Sequence, residues 1–382
     1  MAGQSSRPIP PGRQVELSLQ HGGAPNASRE SRTVEISFTA LLDTLGANRG
    51  RCRETQRLLP RDSITRKYAL VPSGEGPGIR VGHTCVCITE TADASSKGRI
   101  IITGGANPSG TFSDSYILDL DKHEWDNPEW EGLLPRYEHA SFVPEQSPKN
   151  IWVFGGAEQS GNRNCLQSLD LEAGRWKSVK VSGVPPSART YHTCSASIGD
   201  RLYVFSGGDV GAEPVQDVQL HAFDAVTSTW SQVNTQGKPP SPRHGHVVVA
   251  VGAKLFIHGG LSGDRFYNDM YSINTDHMKW EKVKAKGDIP IGCAAHSAVS
   301  QGKFIYVFGG LSADGALNSM YKFHTEADFP TEKQMARAEA VDASALVDPA
   351  THKQETVHLC LIVGGMDTEG NVFNDCAVTI LD

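Results

Sequence analysis

Several things are scarce or missing in this chain, and each absence excludes a class of protein. No apolar run approaches the ~20 residues of a membrane span. The opening MAGQSSRPIPPGR has no apolar core of the kind a secretion signal needs, so cytosolic residence is expected. Cysteine is sparse, eight in 382 residues, with no CxxC pair; the closest spacing is Cys85-x-Cys87. That reads as buried free thiols in a reducing compartment rather than a disulfide framework. The sequon Asn26-Ala27-Ser28 is then incidental. No HExxH, GxSxG or P-loop is present, so the usual hydrolase and nucleotide signatures are missing. Lysine is absent from residues 1–66, which carry ten arginines and six acidic residues, a net of +4. The rest of the chain carries −11, giving the overall −7. An acidic main body argues against a nucleic-acid surface.

What the chain has is a repeat. Glycine pairs follow apolar runs at Gly104-Gly105, Gly155-Gly156, Gly207-Gly208, Gly259-Gly260, Gly309-Gly310 and Gly364-Gly365, spaced 51, 52, 52, 50 and 55 residues apart. The residue before each pair reads Thr103, Phe154, Ser206, His258, Phe308 and Val363. His258, in KLFIHGGLSGDRF, is therefore read as a strand-end residue and not as a catalytic base. A tryptophan follows about 20 residues after four of the pairs, at Trp125, Trp176, Trp230 and Trp280. An Arg-x-x-His element opens the copies: Arg80 to His83, Arg136 to His139, Arg189 to His192 and Arg243 to His246. The fifth copy keeps His296 but carries Cys293 where the arginine belongs.

Four short apolar segments per period, separated by turn residues and without helical periodicity, predict four-stranded blades. Such a sheet cannot bury both faces alone, so blades stack around an axis. The expectation is an all-β, six-bladed kelch-type β-propeller over residues 67–382. Tyr68–Val71 stands at the tryptophan's spacing and is expected to close the ring beside Asn374–Leu381. Two segments break the pattern. Residues 1–66 read as a largely irregular extension with one short amphipathic helix, carried by Phe38, Leu41, Leu42 and Leu45. Residues 325–356 lack the expected Trp and Arg-x-x-His, and read as an irregular insert of loop or loose helix. The fifth blade would then want an outer strand and the sixth an inner one.

The residues between the landmarks narrow the resemblance. GLLPRYEHASF, IWVFGGAEQSGNRNCLQ, EPVQD, PPSPRHGHV, KLFIHGGLSGDRFYNDM, GCAAHSAV and the closing NDC make the chain resemble kelch propellers that act as Rab effectors, over about residues 67–324 and 357–382. The resemblance implies a partner, a GTP-bound late-endosomal Rab GTPase. It also implies a role in transport from late endosomes to the trans-Golgi network, with peripheral membrane recruitment through that partner. The alternatives are a general kelch interaction scaffold or substrate adaptor, and a propeller enzyme with an axial site. Histidines and arginines that recur once per blade read as structural, so no catalytic residue, cofactor or metal is expected. A phosphate cradle in GGLSGDR is excluded because a strand follows it, not a helix N-terminus. Recognition is expected in the loops after the glycine pairs, which vary from copy to copy. The candidates are Asn107, Arg163, Asp264, Arg265 and Tyr267, with Phe112, Phe266 and Phe373 packing the loop bases.

Overall fold

In the computed structural model, residues 36–42, 68–88, 98–190, 196–209, 213–325, 335–340 and 357–381 are described, and every regular segment among them is a β-strand. The second strands of the repeats, Arg99–Thr103, Asn150–Phe154, Arg201–Phe205, Lys254–His258 and Phe304–Phe308, are buried at nearly every position. Continuous burial suits a strand covered on both faces, which explains their β-branched and aromatic content.

Each second strand pairs antiparallel with a third: Ser115–Asp119, Leu166–Asp170, Leu220–Asp224, Met270–Asn274 and Met320–His324. The last hairpin joins Val357–Met366 to Val372–Leu381. Four third strands end on a residue whose side chain organises the next turn. Asp119 Oδ1, for example, accepts the backbone N–H groups of Asp121 and Lys122 at 3.0 and 2.9 Å. Asp170, Asp224 and Asn274 act alike.

The strands make five sheets of four or more strands, one of them eight-stranded. In that sheet the fourth and fifth repeats are joined where Lys279–Gly287 pairs parallel with Met335–Ala340. The core lies between repeats. Leu202, Val204, Phe223 and Trp230 of the third pack on Phe142, Trp152 and Phe154 of the second. Trp230 sits 4.8 Å from Phe154, and Trp280 sits 5.3 Å from Phe205 of the repeat before it. The final interface closes the series, with Leu361, Val363 and Cys376 on Ile100, Ile102, Leu118 and Trp125. This is an all-β kelch-type propeller.

The closing strand expected at Tyr68–Val71 is present as Tyr68–Leu70, paired antiparallel with the last strand through Tyr68↔Val378, Ala69↔Ala377 and Leu70↔Cys376. Two other expectations are corrected. The helix read from Phe38, Leu41, Leu42 and Leu45 is instead a strand, Ile36–Leu42, parallel to Val357–Val363. Ile36, Phe38, Ala40 and Leu42 alternate, so the segment also carries a strand pattern. The unpaired edge of the last hairpin offers it backbone partners that an isolated short helix lacks. It lies next to Thr84–Ile88 and Ser297–Gln301, the first strands of the neighbouring repeats. Within the presumed irregular insert, Met335–Ala340 is a strand, antiparallel to Met320–His324. The two strand places that the sequence left unfilled are thus both taken, one of them by a segment from the opposite end of the chain.

Deleting residues 1–45 should uncover the edge of Val357–Met366 and lower the melting temperature, by about 2–4 °C for each kcal/mol lost. Deleting residues 1–71 should cost more, because the Tyr68–Leu70 pairing goes too. Scanning calorimetry checks both, and an unchanged midpoint for the shorter deletion would remove Ile36–Leu42 from the ring.

Candidate functional site

The end of the molecule that carries the glycine pairs is built on a recurrent arginine clamp. Arg80, Arg136, Arg189 and Arg243 are buried, three of them completely. In each, Nη1 donates to a carbonyl at the glycine pair of its own repeat: Gly104, Gly155, Ser206 and Gly259, at 2.9 to 3.1 Å. Nε donates to the carbonyl two residues back, on Gly78, Leu134, Ser187 and Ser241. The remaining donors reach a side chain near the start of the third strand: Asp114, Gln167, Asp217 and Asp269. A planar fork with five donors answers this set of acceptors as an ammonium could not.

The clamp corrects the sequence register in the third repeat. Gly105, Gly156, Gly207 and Gly260 each donate N–H to the carbonyl at the arginine position of the next repeat: Arg136, Arg189, Arg243 and Cys293. The third pair is therefore Ser206-Gly207, with Ser206 at φ 51° in the place of a glycine. The residue preceding it is Phe205. At Gly260, φ is 97°, and an added Cβ would meet His246 Cβ at 2.9 Å and His244 O at 3.0 Å, so only glycine fits.

Beyond the pair comes a small hairpin, as in Leu261–Ser262 with Arg265–Phe266. It is closed by an N–H to the second glycine's carbonyl from Phe112, Arg163, Tyr267 and Leu317, each at 2.8 Å. Bridges such as His244↔Leu261 and Ala294↔Leu311 tie these hairpins to the loops between repeats, so both loop sets share one end of the propeller.

The structure sorts the five candidate residues. Asp264 and Arg265 are exposed at a hairpin tip. Tyr267 is buried, with the guanidinium groups of Arg243 and Arg265 at 4.1 and 5.0 Å from its ring centre. Arg163 holds the equivalent place two repeats earlier and pairs with Glu158 at 2.8 Å. Asn107 is half-buried and donates to the Ile79 carbonyl at 3.2 Å. Phe112 is equivalent to Tyr267 rather than to Phe266, and its ring lies 4.3 Å from the Arg80 guanidinium. What sequence reasoning missed on this end is apolar: Ile79, Leu134, Ile289 and Ile291 are exposed in loops between repeats. Leu134 and Ile291 both sit two residues before the clamp position. The Arg-x-x-His register could have revealed them.

The recurrent histidines His83, His139, His246 and His296 are buried. His139 Nε2 is 2.8 Å from Thr84 Oγ1 of the previous repeat. Burial, with Arg80 beside it, pushes His83 down to about 3. Burial likewise pushes His258 to about 4 and holds His296 well below its ordinary value. His192 lies outside the described residues.

Against known proteins, the family described as KLHDC2/KLHL20/DRC7 Kelch-repeats domain matches residues 82–310 and 220–382. The chain belongs to the kelch-repeat family. Among its kelch relatives, it is 57% identical over 348 residues to the Xenopus laevis "Rab9 effector protein with kelch motifs", covering 82% of this chain and 95% of that one. It is 56% identical over 332 residues to the Danio rerio protein of that name, with the same coverages. The Mus musculus protein of that name is 49% identical over 379 residues, covering 88% of this chain and all of its own length. The fifth repeat departs from its siblings in this chain: Cys293 replaces the clamp arginine while its backbone N–H still donates to Tyr267 O at 3.1 Å.

Arg243→Ala should destabilise the fold by about 3–5 kcal/mol, because the Ser241 and Gly259 carbonyls lose their donor and the mostly buried Asp269 keeps only the exposed Lys282, 3.7 Å away, as a cationic partner. Arg265→Ala should stay within about 0.5 kcal/mol of the parent. Chemical denaturation measures both. The buried histidines also set a pH dependence. Their folded values lie below the unfolded ~6.5, so the unfolded chain binds the extra protons. Their contribution is complete above pH ~6.5 and is lost as pH falls toward 4 and then 3. Melting temperature should therefore fall between pH 7.5 and 5, and a flat profile would contradict neutral burial.

Proposed function

We propose that this chain is a non-enzymatic effector that binds the GTP-bound form of a late-endosomal Rab GTPase, and that it supports traffic from late endosomes to the trans-Golgi network. The observation that carries this reading is its 49–57% identity to relatives named as Rab9 effectors, across 95–100% of their length. Localisation follows from the partner: a cytoplasmic protein held peripherally on late-endosome membranes. No described helix is long and apolar enough to cross a membrane.

The physical surface supports the reading. Rigid clamps hold hairpins whose tips differ between repeats, the usual arrangement for recognition on a fixed scaffold. Exposed Ile79, Leu134 and Ile291 stand on the same end, with the charged tip Asp264-Arg265. Apolar anchors bordered by charge are the composition of a protein-docking face. GTP orders the switch loops of a GTPase, and a rigid face can read that ordered surface without rearranging. Arg163, Asn107 and Tyr267 contribute by holding their hairpins in shape, and Asp264 and Arg265 by contact.

A pull-down with GTP-locked and GDP-locked Rab proteins tests this. Binding should favour the GTP form. Leu134→Glu and Ile291→Glu together, or Asp264→Lys with Arg265→Glu, should weaken it at least tenfold while melting stays unchanged. Equal capture of both nucleotide forms would rule out an effector. Full affinity in both double variants would move the contact to the opposite end of the propeller.

A further inference from the structure

The fourth and fifth repeats meet at a place where three landmarks fail together. His258 stands where three other repeats have Phe154, Phe205 and Phe308. Cys293 stands where the arginine clamp belongs. No tryptophan follows Trp280 in the chain, so the fifth repeat has none to stack on its neighbour, as Trp230 and Trp280 do on theirs. His296 and the glycine pair Gly309-Gly310 keep their landmarks.

The substitutions converge in space. One nitrogen from each of His258 and His296 and the Cys293 Sγ lie within 4.8 Å of one another. The facing nitrogens, His258 Nδ1 and His296 Nε2, are 3.2 Å apart. All three residues are at most 2% exposed. The outer nitrogens, His258 Nε2 and His296 Nδ1, are buried with no hydrogen-bond partner, so this is not a satisfied polar network. At the corresponding repeat positions, Phe154 and Phe205 pack against tryptophan rings, and Arg136, Arg189 and Arg243 hold hydrogen-bonded guanidinium groups.

We propose that His258, Cys293 and His296 form a buried three-coordinate site for copper(I), which ties the fourth repeat to the fifth. Planar trigonal bonds of about 2.0–2.3 Å put ligand atoms about 3.5–4 Å apart, within the spread observed here. A soft thiolate with two imidazoles suits copper(I), and the ion needs no fourth ligand. Charge favours it too. Copper(I) and one thiolate cancel, leaving a neutral centre among neutral imidazoles, whereas zinc(II) would leave a net positive charge in the core. On binding, the sulfur–metal bond forms as the thiol proton leaves to solvent, and no electron is transferred. Binding replaces the 3.2 Å hydrogen bond between the facing nitrogens: the proton they share moves to an outer nitrogen, so that each imidazole turns a lone pair toward the ion. The sequence pattern argued against any metal because candidate ligands recurred in every repeat, but two of these three do not recur.

The test uses the full chain, expressed with copper in the medium and purified under reductant without air. Elemental analysis should find stoichiometric copper, X-ray absorption should show a three-coordinate nitrogen and sulfur environment, and melting should rise relative to protein expressed without copper. His258→Phe, which installs the side chain of three sibling repeats, and Cys293→Ser should each fold, lose the metal at least tenfold and lose the copper-dependent shift. Copper-free parent protein, copper retained in either variant, or stoichiometric zinc in its place would overturn the assignment.

Discussion

A buried guanidinium must have its donors answered, and most of the glycine-pair end of this propeller follows from that requirement. Arg80, Arg136, Arg189 and Arg243 take their acceptors from a glycine-pair carbonyl, a carbonyl two residues back and a side chain near the start of the third strand. Satisfying the charge fixes the loop entering the repeat, the turn leaving its second strand and the start of its third. The carbonyls of Arg136, Arg189, Arg243 and Cys293 then accept from the second glycine of the preceding repeat, so the clamps are coupled from the first repeat to the fifth. Variable hairpin tips can sit on this frame because none of its hydrogen bonds depends on what the tips display.

The fifth repeat shows what happens when a clamp is missing. The backbone part of the arrangement survives at Cys293, since an N–H and a carbonyl need no particular side chain. The side-chain part does not, and Cys293 lies instead beside the His258–His296 pair. The neighbouring strand places are filled from elsewhere, by Met335–Ala340 and, from far away in sequence, by Ile36–Leu42. A sheet edge accepts any segment able to align its backbone groups, and the parallel pairing of Ile36–Leu42 with Val357–Val363 is such a substitution.

Much of the fold was legible because a repeat states its physics several times. Recurrent glycine pairs, tryptophans and Arg-x-x-His elements marked strand ends, interblade packing and strand starts. The closing strand at Tyr68 was legible for the same reason, as a fragment of the period. Reading failed where the evidence was single. The segment around Phe38 carries both a helical and an alternating pattern, and only the open edge beside it favours one. The third glycine pair was shifted by one residue, because Ser206 adopts a glycine-like φ that no sequence pattern announces. Tyr267 looked like a surface contact from its loop position, yet it is buried, with two guanidinium groups near its ring.

The sequence by itself determined the all-β class, the repeat period and the identity of the packing residues, since all of these depend on local spacing and on residue types that recur. The tertiary structure decided which residues meet. It put Ile36–Leu42 beside Val357–Met366, turned Tyr267 inward and left Leu134 and Ile291 outside. It also gathered His258, Cys293 and His296 within 4.8 Å of one another. Contacts between repeats join residues tens or hundreds of positions apart. A local pattern carries no information on which edge, ring or side chain will be the neighbour until the ring has closed.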